Sequence, residues 1–366
     1  MTCNQRRFKC PYSLRLLLSV AVWASCVLSV DAQLHERSER LRHQIDSLQT
    51  AADTLLRKKS LPGKLLNRLD QRDERALLKR DTNYIRKPRE HWSVRLRCNM
   101  SGTKVHMLGA QEGIDYNCEL DAQMKATMTA GISWRGFSAS VALNPLKLAG
   151  IYKDYELNLN AYGNRFGIDA FFSHAKNLEG DASYGDVERT IEKGIVSQRW
   201  LNVTGYYAFN HRRFSFPAAF SQSQIQLRSA GSFMLGATWL LGRLFSEQHL
   251  VTGENVPMKV NLCQLGIGAG YGYNLVVGKG WMIHLSTVPH LVLYNRVRLT
   301  IDDEKQKAPF RFPNIINIGR VALVRNVRHH FYGFSGVVTN TVAGDDERLR
   351  LVNVKWIARA SYGIRF

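Results

Sequence analysis

Asp169, Ser173 and His174 lie close enough in the chain to raise a nucleophilic set, in which a histidine takes the serine proton and a carboxylate orients the imidazole. Their spacing argues against it. In an extended segment side chains alternate, so Asp169 and Ser173 share one face while His174 points to the other. His284 and His290 flank Ser286-Thr287, and His329-His330 fall in a turn-like stretch, but eleven histidines in 366 residues require no special cause. His-Glu-x-x-His, Cys-x-x-Cys and calcium-loop patterns do not occur in the chain. The expectation is therefore no catalytic residue, no metal and no cofactor. Gly266, Gly268, Gly270 and Gly272 alternate with Ile267, Ala269 and Tyr271. A phosphate-cradling loop needs G-x-G-x-x-G between a strand and a helix, and no helix follows here. The four glycines instead predict a bare sheet face covered by large neighbours.

Charge is the next property with chemical consequences. The formal net charge is +20, which raises nucleic acid and acidic lipid as partners. Both signs are mixed along the chain, and no Lys/Arg block interleaves with aromatics, so no nucleic acid is expected. Arg86-Lys87-Pro88-Arg89 and His211-Arg212-Arg213 suit either lipid phosphates at a membrane interface or solvated turns. Cys3, Cys10 and Cys26 lie in the segment expected to be removed, which leaves Cys98, Cys118 and Cys263. Cys98 and Cys118 have hairpin spacing for a disulfide, but the odd total makes unpaired thiols equally consistent.

The elements that must position these residues change character along the chain. Arg6, Arg7, Lys9 and Arg15 precede an uncharged run from Leu16 to Val30, followed by Val30-Asp31-Ala32. This predicts a signal peptide over 1–32. Leu41, Ile45, Leu48, Ala52 and Leu55 then recur at steps of four and three. Residues 33–80 thus read as a charged amphipathic helical segment, whose stripe at 34–56 either packs on its own domain or joins copies into a homo-oligomer.

From about Trp92 the period becomes two. The last strand carries Val352, Val354, Trp356, Ala358, Ala360, Tyr362, Ile364 and Phe366 on one face, with Asn353, Lys355, Arg359, Ser361 and Arg365 on the other. Leu157, Leu159 and Ala161 alternate with Asn158 and Asn160, and Phe166, Ile168 and Ala170 with Asp169. Strands that reach the roughly 9–11 residues a membrane requires, with aromatics near their ends, predict an antiparallel transmembrane-type β-barrel of about 12 strands over 81–366. Trp92, Trp134, Tyr162, Trp200, Trp239, Tyr271, Tyr273 and Trp281 are candidates for the aromatic girdles, and 176–197, 246–257 and 302–310 for longer loops. The terminal Tyr362, Ile364 and Phe366 resemble the C-terminal assembly signal of Gram-negative outer-membrane barrels.

A more specific resemblance rests on several strings taken in order. They are Asp81-Thr82-Asn83-Tyr84-Ile85, Gly131-Ile132-Ser133-Trp134, Tyr207-Ala208-Phe209-Asn210 with Phe214-Ser215, Ala218-Ala219-Phe220, Gln226-Leu227-Arg228-Ser229-Ala230-Gly231-Ser232, and Gly270-Tyr271-Gly272-Tyr273. Together they resemble the uncharacterised domain of unknown function 4421 family, outer-membrane-type barrels of bacteroidete bacteria. The resemblance singles out Asp81, Tyr84, Phe209, Asn210, Phe214, Ser215, Gln226, Ser229, Gly231 and Ser232 as structural motif residues. It implies a fold and a location and carries no activity. Read from the residues themselves, Ser229-Ala230-Gly231-Ser232 places small side chains inside a long strand, where a bulge, a bend or an inward helix needs room.

The expected protein is thus a barrel in the outer membrane of a Gram-negative bacterium, both barrel ends periplasmic, with a structural or porin-like role in passing small solutes. Its expected partners are outer-membrane lipids and the barrel-assembly machinery. Two alternatives predict different observations. A barrel enzyme acting on lipid or peptide requires a catalytic constellation at one rim. A secreted soluble β-barrel lipid-binding protein requires apolar faces turned inward and a polar exterior.

Overall fold

The computed structural model describes residues 80–366 except 91, 112–113, 135–136, 144–154, 177, 251–253, 303, 308–313 and 346–348. The expected signal peptide and the 34–56 stripe lie outside the described residues. The chain enters through a turn and a short strand, β1 (Ile85–Arg86), then runs through β2 (Trp92–Gln111), β3 (Ile114–Trp134), β4 (Phe137–Leu143), β5 (Tyr155–Tyr162) and β6 (Phe166–Ala175). A hairpin of β7 (Leu178–Tyr184) and β8 (Val187–Ile191) precedes β9 (Val196–Ala208). A short helix, α1 (Phe216–Phe220), and β10 (Ile225–Gln226) lead to β11 (Ala230–Ser246), β12 (Met258–Gly278) and β13 (Trp281–Ile301). After β14 (Glu304–Lys307) come β15 (Ile315–Val327), β16 (His330–Asp345) and β17 (Leu349–Arg365).

All ladders are antiparallel. Among the described residues one sheet holds fifteen strands; setting aside the β7–β8 hairpin and β14 leaves twelve in the wall. The path runs β5-β6-β9-β11-β12-β13-β15-β16-β17-β2-β3, with β4 paired to the lower half of β3. Antiparallel neighbours joined by short turns need no crossover. The turn at 279–280, for example, uses Lys279 at φ 48° and Gly280 at φ 80°, the left-handed conformation a tight hairpin requires. The sheet rolls up on itself. Ser101 of β2 and Glu156 of β5 stand nine ladders apart on that path, yet the Ser101 hydroxyl donates to Glu156 at 3.1 Å.

The faces of this sheet decide between membrane and soluble barrels. On β11, Ser232, Met234, Thr238 and Leu240 point inward and are buried, while Phe233 (70% exposed), Leu235 (54%) and Trp239 (45%) point outward. β13 repeats the pattern, with His284, Ser286 and His290 inside and Leu285 outside at 66% exposure. Isolated exposed apolar residues are ordinary on soluble proteins, but a belt of them backed by a polar interior is not. The soluble alternative required the opposite arrangement. From Phe233 to Leu241 the outward side of β11 is apolar over nine residues, the length a tilted membrane strand needs. No helix among the described residues is long and apolar enough to cross a membrane.

Several expectations are corrected by register. Tyr162 and Trp200 do not join an outer girdle: both face inward, Tyr162 against Phe216 and Phe220 and Trp200 into the upper core. Trp239, Tyr271, Tyr273 and Trp281 are exposed on the outer face, where Tyr271 meets Phe233 at 5.1 Å. The expected loop at 176–197 contains the β7–β8 hairpin, which extends the sheet beyond the twelve wall strands by pairing β7 with the first half of β3. Ser229-Ala230-Gly231-Ser232 opens β11 and does not interrupt a long strand. Cys98 aligns with Met128 and Cys118 with Met107, far apart on the ladder, and both thiols are free.

Candidate functional site

The barrel interior contains a plug. Both the start of β2 and the end of β17 lie at one end of the barrel, where Ser93 pairs with Arg365, and the β9–β11 connection leaves and rejoins the wall at that same end. Its residues 214–220 are all buried. Local sequence accounts for the turn of helix at its centre. Ser215 is the N-cap, its Oγ accepting from the Ala218 N–H at 3.2 Å, and Pro217 in the first turn has no N–H to leave unsatisfied. Phe216 stacks on Phe220 at 5.0 Å and meets Tyr206 of β9 at 4.5 Å. The entering chain braces this segment from below: β1 pairs with β10, and the Leu227 N–H donates to the Tyr84 carbonyl at 2.7 Å.

Inward polar groups of the wall hold the plug. Asn274 of β12 donates from Nδ2 to the Ser215 carbonyl at 2.9 Å and to Gln226 Oε1 at 3.0 Å. Its Oδ1 is 2.6 Å from His284 Nδ1, so the imidazole donates there, and its Nε2 accepts from the Ser286 hydroxyl at 2.9 Å. The rings of Phe214, Phe216 and Phe220 cover His284, with centroids 5.1–5.9 Å away. On the opposite wall Arg365 donates to the Gln222 carbonyl at 2.7 Å, Arg95 donates to the Ser221 carbonyl, and both guanidiniums pack on Phe331. Buried polar groups without partners are costly, so these reciprocal bonds are what allow a polar loop to sit inside the barrel.

Most of the residues picked out by family resemblance converge on this plug. The Asp81 N–H donates to the Arg212 carbonyl and its carboxylate pairs with Arg213 at 3.3 Å, while Arg213 lies over the Tyr84 ring. The Asn210 N–H donates to Ser232 Oγ at 2.9 Å, and Asn210 Nδ2 donates to the Gly231 carbonyl at 2.8 Å. The Ser215 N–H donates to Gln226 Oε1, whose amide Nε2 in turn donates to the carbonyls of Arg213 and Arg228. Ser229 Oγ accepts from the Val276 N–H at 2.9 Å. Phe214 is fully buried, and a Cβ at Gly272 would lie 3.1 Å from it, whereas at Gly266, Gly268 and Gly270 a Cβ would meet the β13 backbone instead. Phe209 belongs elsewhere: it is exposed and packs edge-on against Tyr207 on the outer surface. Tyr362 and Ile364 lie on β17, with Phe366 immediately after it.

Beyond the plug the lumen has two further zones. A polar chamber is lined by Asn158, Asn160, Asn202 and Thr204 together with Asp169, Arg320, Lys355 and Arg359, so its charged lining holds three cations and one anion. Asp169 pairs with Arg320 at 2.8 Å, and Lys355 lies over the Phe171 ring with Glu156 at 3.9 Å. Asp169 Oδ1, Thr341 Oγ1 and Asn353 Oδ1 are buried in this region without a protein hydrogen-bond partner. Trp200 and Leu240 line the chamber and also belong to an apolar cluster with Met107, Leu244 and Val260.

No catalytic set assembles from the sequence candidates. Asp169 is engaged by Arg320, Ser173 faces the polar chamber, and His174 Nδ1 accepts from Arg199 Nε at 3.4 Å. His284 and Ser286 do form a base–hydroxyl pair, but it is fully buried beneath the plug phenylalanines. His329 begins no strand and pairs with Glu90 at 3.1 Å. Among the described residues no three His, Cys, Asp or Glu side chains cluster as a metal site. Sequence reasoning missed Asn274, Arg95, Arg320 and Arg365. Their common signal is a polar residue on the alternate face of a strand whose other face is apolar.

Three solved structures are similar to this chain at low identity. The outer membrane protease OmpT from Escherichia coli has 6% identity and a TM-score of 0.42, over 75% of this chain and 97% of that one. The translocator domain of autotransporter NalP from Neisseria meningitidis has 9% identity and a TM-score of 0.32, over 88% and 98%. The P. putida toluene transporter TodX has 9% identity and a TM-score of 0.25, over 76% and 91%. No curated protein matches. The fold therefore rests on the chain's own strand pairing. The model of the family described as Domain of unknown function (DUF4421) matches residues 79–366, and the chain belongs to that family.

Proposed function

We propose that this protein is an outer-membrane barrel whose lumen is closed at the terminal end by its own β9–β11 segment and admits a small anionic solute when that segment shifts. The carrying observation is the plug itself, held by Asn274, Arg95 and Arg365 from opposite walls. An apolar outer belt over a polar lumen supports residence in a membrane, and barrels avoid unpaired backbone there by closing. The excess of Lys355, Arg359 and Arg320 over Asp169 and Glu156 supports anion preference, since rings of charge select ions in pores. In this reading the protein is not an enzyme. The terminal end faces the periplasm, the C-terminal residues Tyr362, Ile364 and Phe366 engage the assembly machinery, and outer-membrane lipids cover the belt. Residues 34–56 are the place for any homo-oligomeric contact.

Single-channel recording in planar bilayers tests the reading. The native chain is expected to be mostly closed, and an Asn274→Ala variant to open more often and pass anions over cations. A steadily open native channel would remove the plug from the proposal, and a variant that stays closed after demonstrated loosening of residues 209–229 would remove passage altogether.

A further inference from the structure

The zone of the lumen farthest from the plug differs from the rest. In a water-filled barrel, polar inward side chains are the rule. Here the inward residues are Met107 and Cys118 from β2 and β3, Leu244 from β11 and Val260 from β12, with Tyr116 and Leu299 packed against them. They surround a cavity of about 260 Å³. No Gly or Ala lines it, so the space comes from the separation of the strands and not from missing side chains. Trp200 and Leu240 line the polar chamber and belong to the same apolar cluster, and the Trp200 Nε1–H donates to Gln198 Oε1 at 2.9 Å.

An apolar cavity of about 150 Å³ stays dry and takes up benzene, and a polar site is needed before water becomes a stable occupant. The cavity here exceeds that volume and presents mainly hydrocarbon. From this we infer a binding site for an uncharged, largely hydrocarbon small molecule of about two fused rings, at the end of the barrel opposite the plug. Asn117, Ser246 and His249 supply the polar part of the lining beside Tyr116 and Tyr184, where a single polar substituent on such a ligand would find partners. This site lies in the same lumen as the passage proposed above, beyond the polar chamber, and its occupancy does not depend on anion flow.

Naphthalene serves as the probe, and the readout is the heat-dependent loss of the compact gel form of the purified full-length mature chain at fixed detergent concentration. The expected result is a saturable upward shift of the transition for the native protein. A cavity-filled Leu244→Trp/Val260→Phe variant that retains the compact form is expected to show no such shift. If the double substitution does not fold, Val260→Phe alone must reduce the shift. An absent shift in the native protein, or an equal one in native and filled forms, would overturn the inference, because either means that naphthalene only partitions into detergent.

Discussion

Asp169 on β6 and Arg320 on β15 meet across the lumen at 2.8 Å although 151 residues separate them in the chain. The Arg320 side chain is almost wholly buried, and its guanidinium also lies over the Phe216 ring of the plug. One cation thus ties two distant wall strands to the segment that closes the barrel. Its partner carboxylate has no other described cation within pairing distance.

Removing one member of this pair should be worse than removing both. Arg320→Met is expected to destabilise the folded barrel by about 3–5 kcal/mol, because it leaves a carboxylate in a poorly solvated lumen. Arg320→Met with Asp169→Asn should recover most of the loss. Urea unfolding of the refolded barrel in detergent checks both, and equal stability of the single and double variants would show that the pair is not coupled.

The plug's hold on the wall should depend on Asn274. Asn274→Leu orphans the Ser215 carbonyl and His284 Nδ1 and leaves Gln226 Oε1 with only the Ser215 N–H. Each buried polar group left unpaired costs about 1–3 kcal/mol. The expected outcome is faster amide exchange across 209–229 with the wall strands still protected, read by mass spectrometry.

Ser215 caps α1, and its single hydroxyl proton goes to Gln224 Oε1 at 2.8 Å, with Asn164 Oδ1 at 3.1 Å as the alternative acceptor. Ser215→Ala is expected to cost about 0.5–2 kcal/mol from the cap alone. Thermal gel mobility should report it, and Ser215→Thr, which keeps the hydroxyl, should recover part of the difference.

Leu285 distinguishes lipid from water outside the barrel. It lies on the outward face of β13 beside Ile283, in a row from Trp281 to Leu293 that is apolar except for Thr287. On a soluble surface Leu285→Arg would change stability by no more than about 0.5 kcal/mol. Facing lipid it is expected to cost about 2–4 kcal/mol, measured by reversible folding into vesicles of defined thickness.

Selectivity should follow the chamber charges. In the Asn274→Ala background, Lys355→Glu with Arg359→Glu is expected to turn anion preference into cation preference. The reversal potential under a salt gradient gives the sign directly, and an unchanged sign would place the selective ring elsewhere.

Period-two alternation determined much of this protein before any contact was known. In β17 and β6 the apolar and polar faces are visible from residue order alone, because successive side chains of a strand must point to opposite sides. An antiparallel barrel of about twelve strands followed, as did the membrane reading of aromatic and aliphatic faces, whereas strand length did not, since β2, β3, β12 and β13 run to 20 or 21 residues. Which face is inside did not follow. Tyr162 and Trp200 are aromatic strand residues like Trp239, yet register turns them into the lumen, and a shift of one residue would have turned them out.

The plug was legible only as strings of matching residues. Asp81, Asn210, Ser215, Gln226 and Ser232 could be singled out, but not their purpose, because their partners are backbone groups and side chains far away in the chain. Asn274, Arg95, Arg320 and Arg365 were indistinguishable from any polar residue on a lumen-facing strand. Rolling the sheet decided their roles. Alternation is local and is written into sequence, whereas a hydrogen bond from Asn274 to the Ser215 carbonyl exists only once the sheet has rolled around the returning segment.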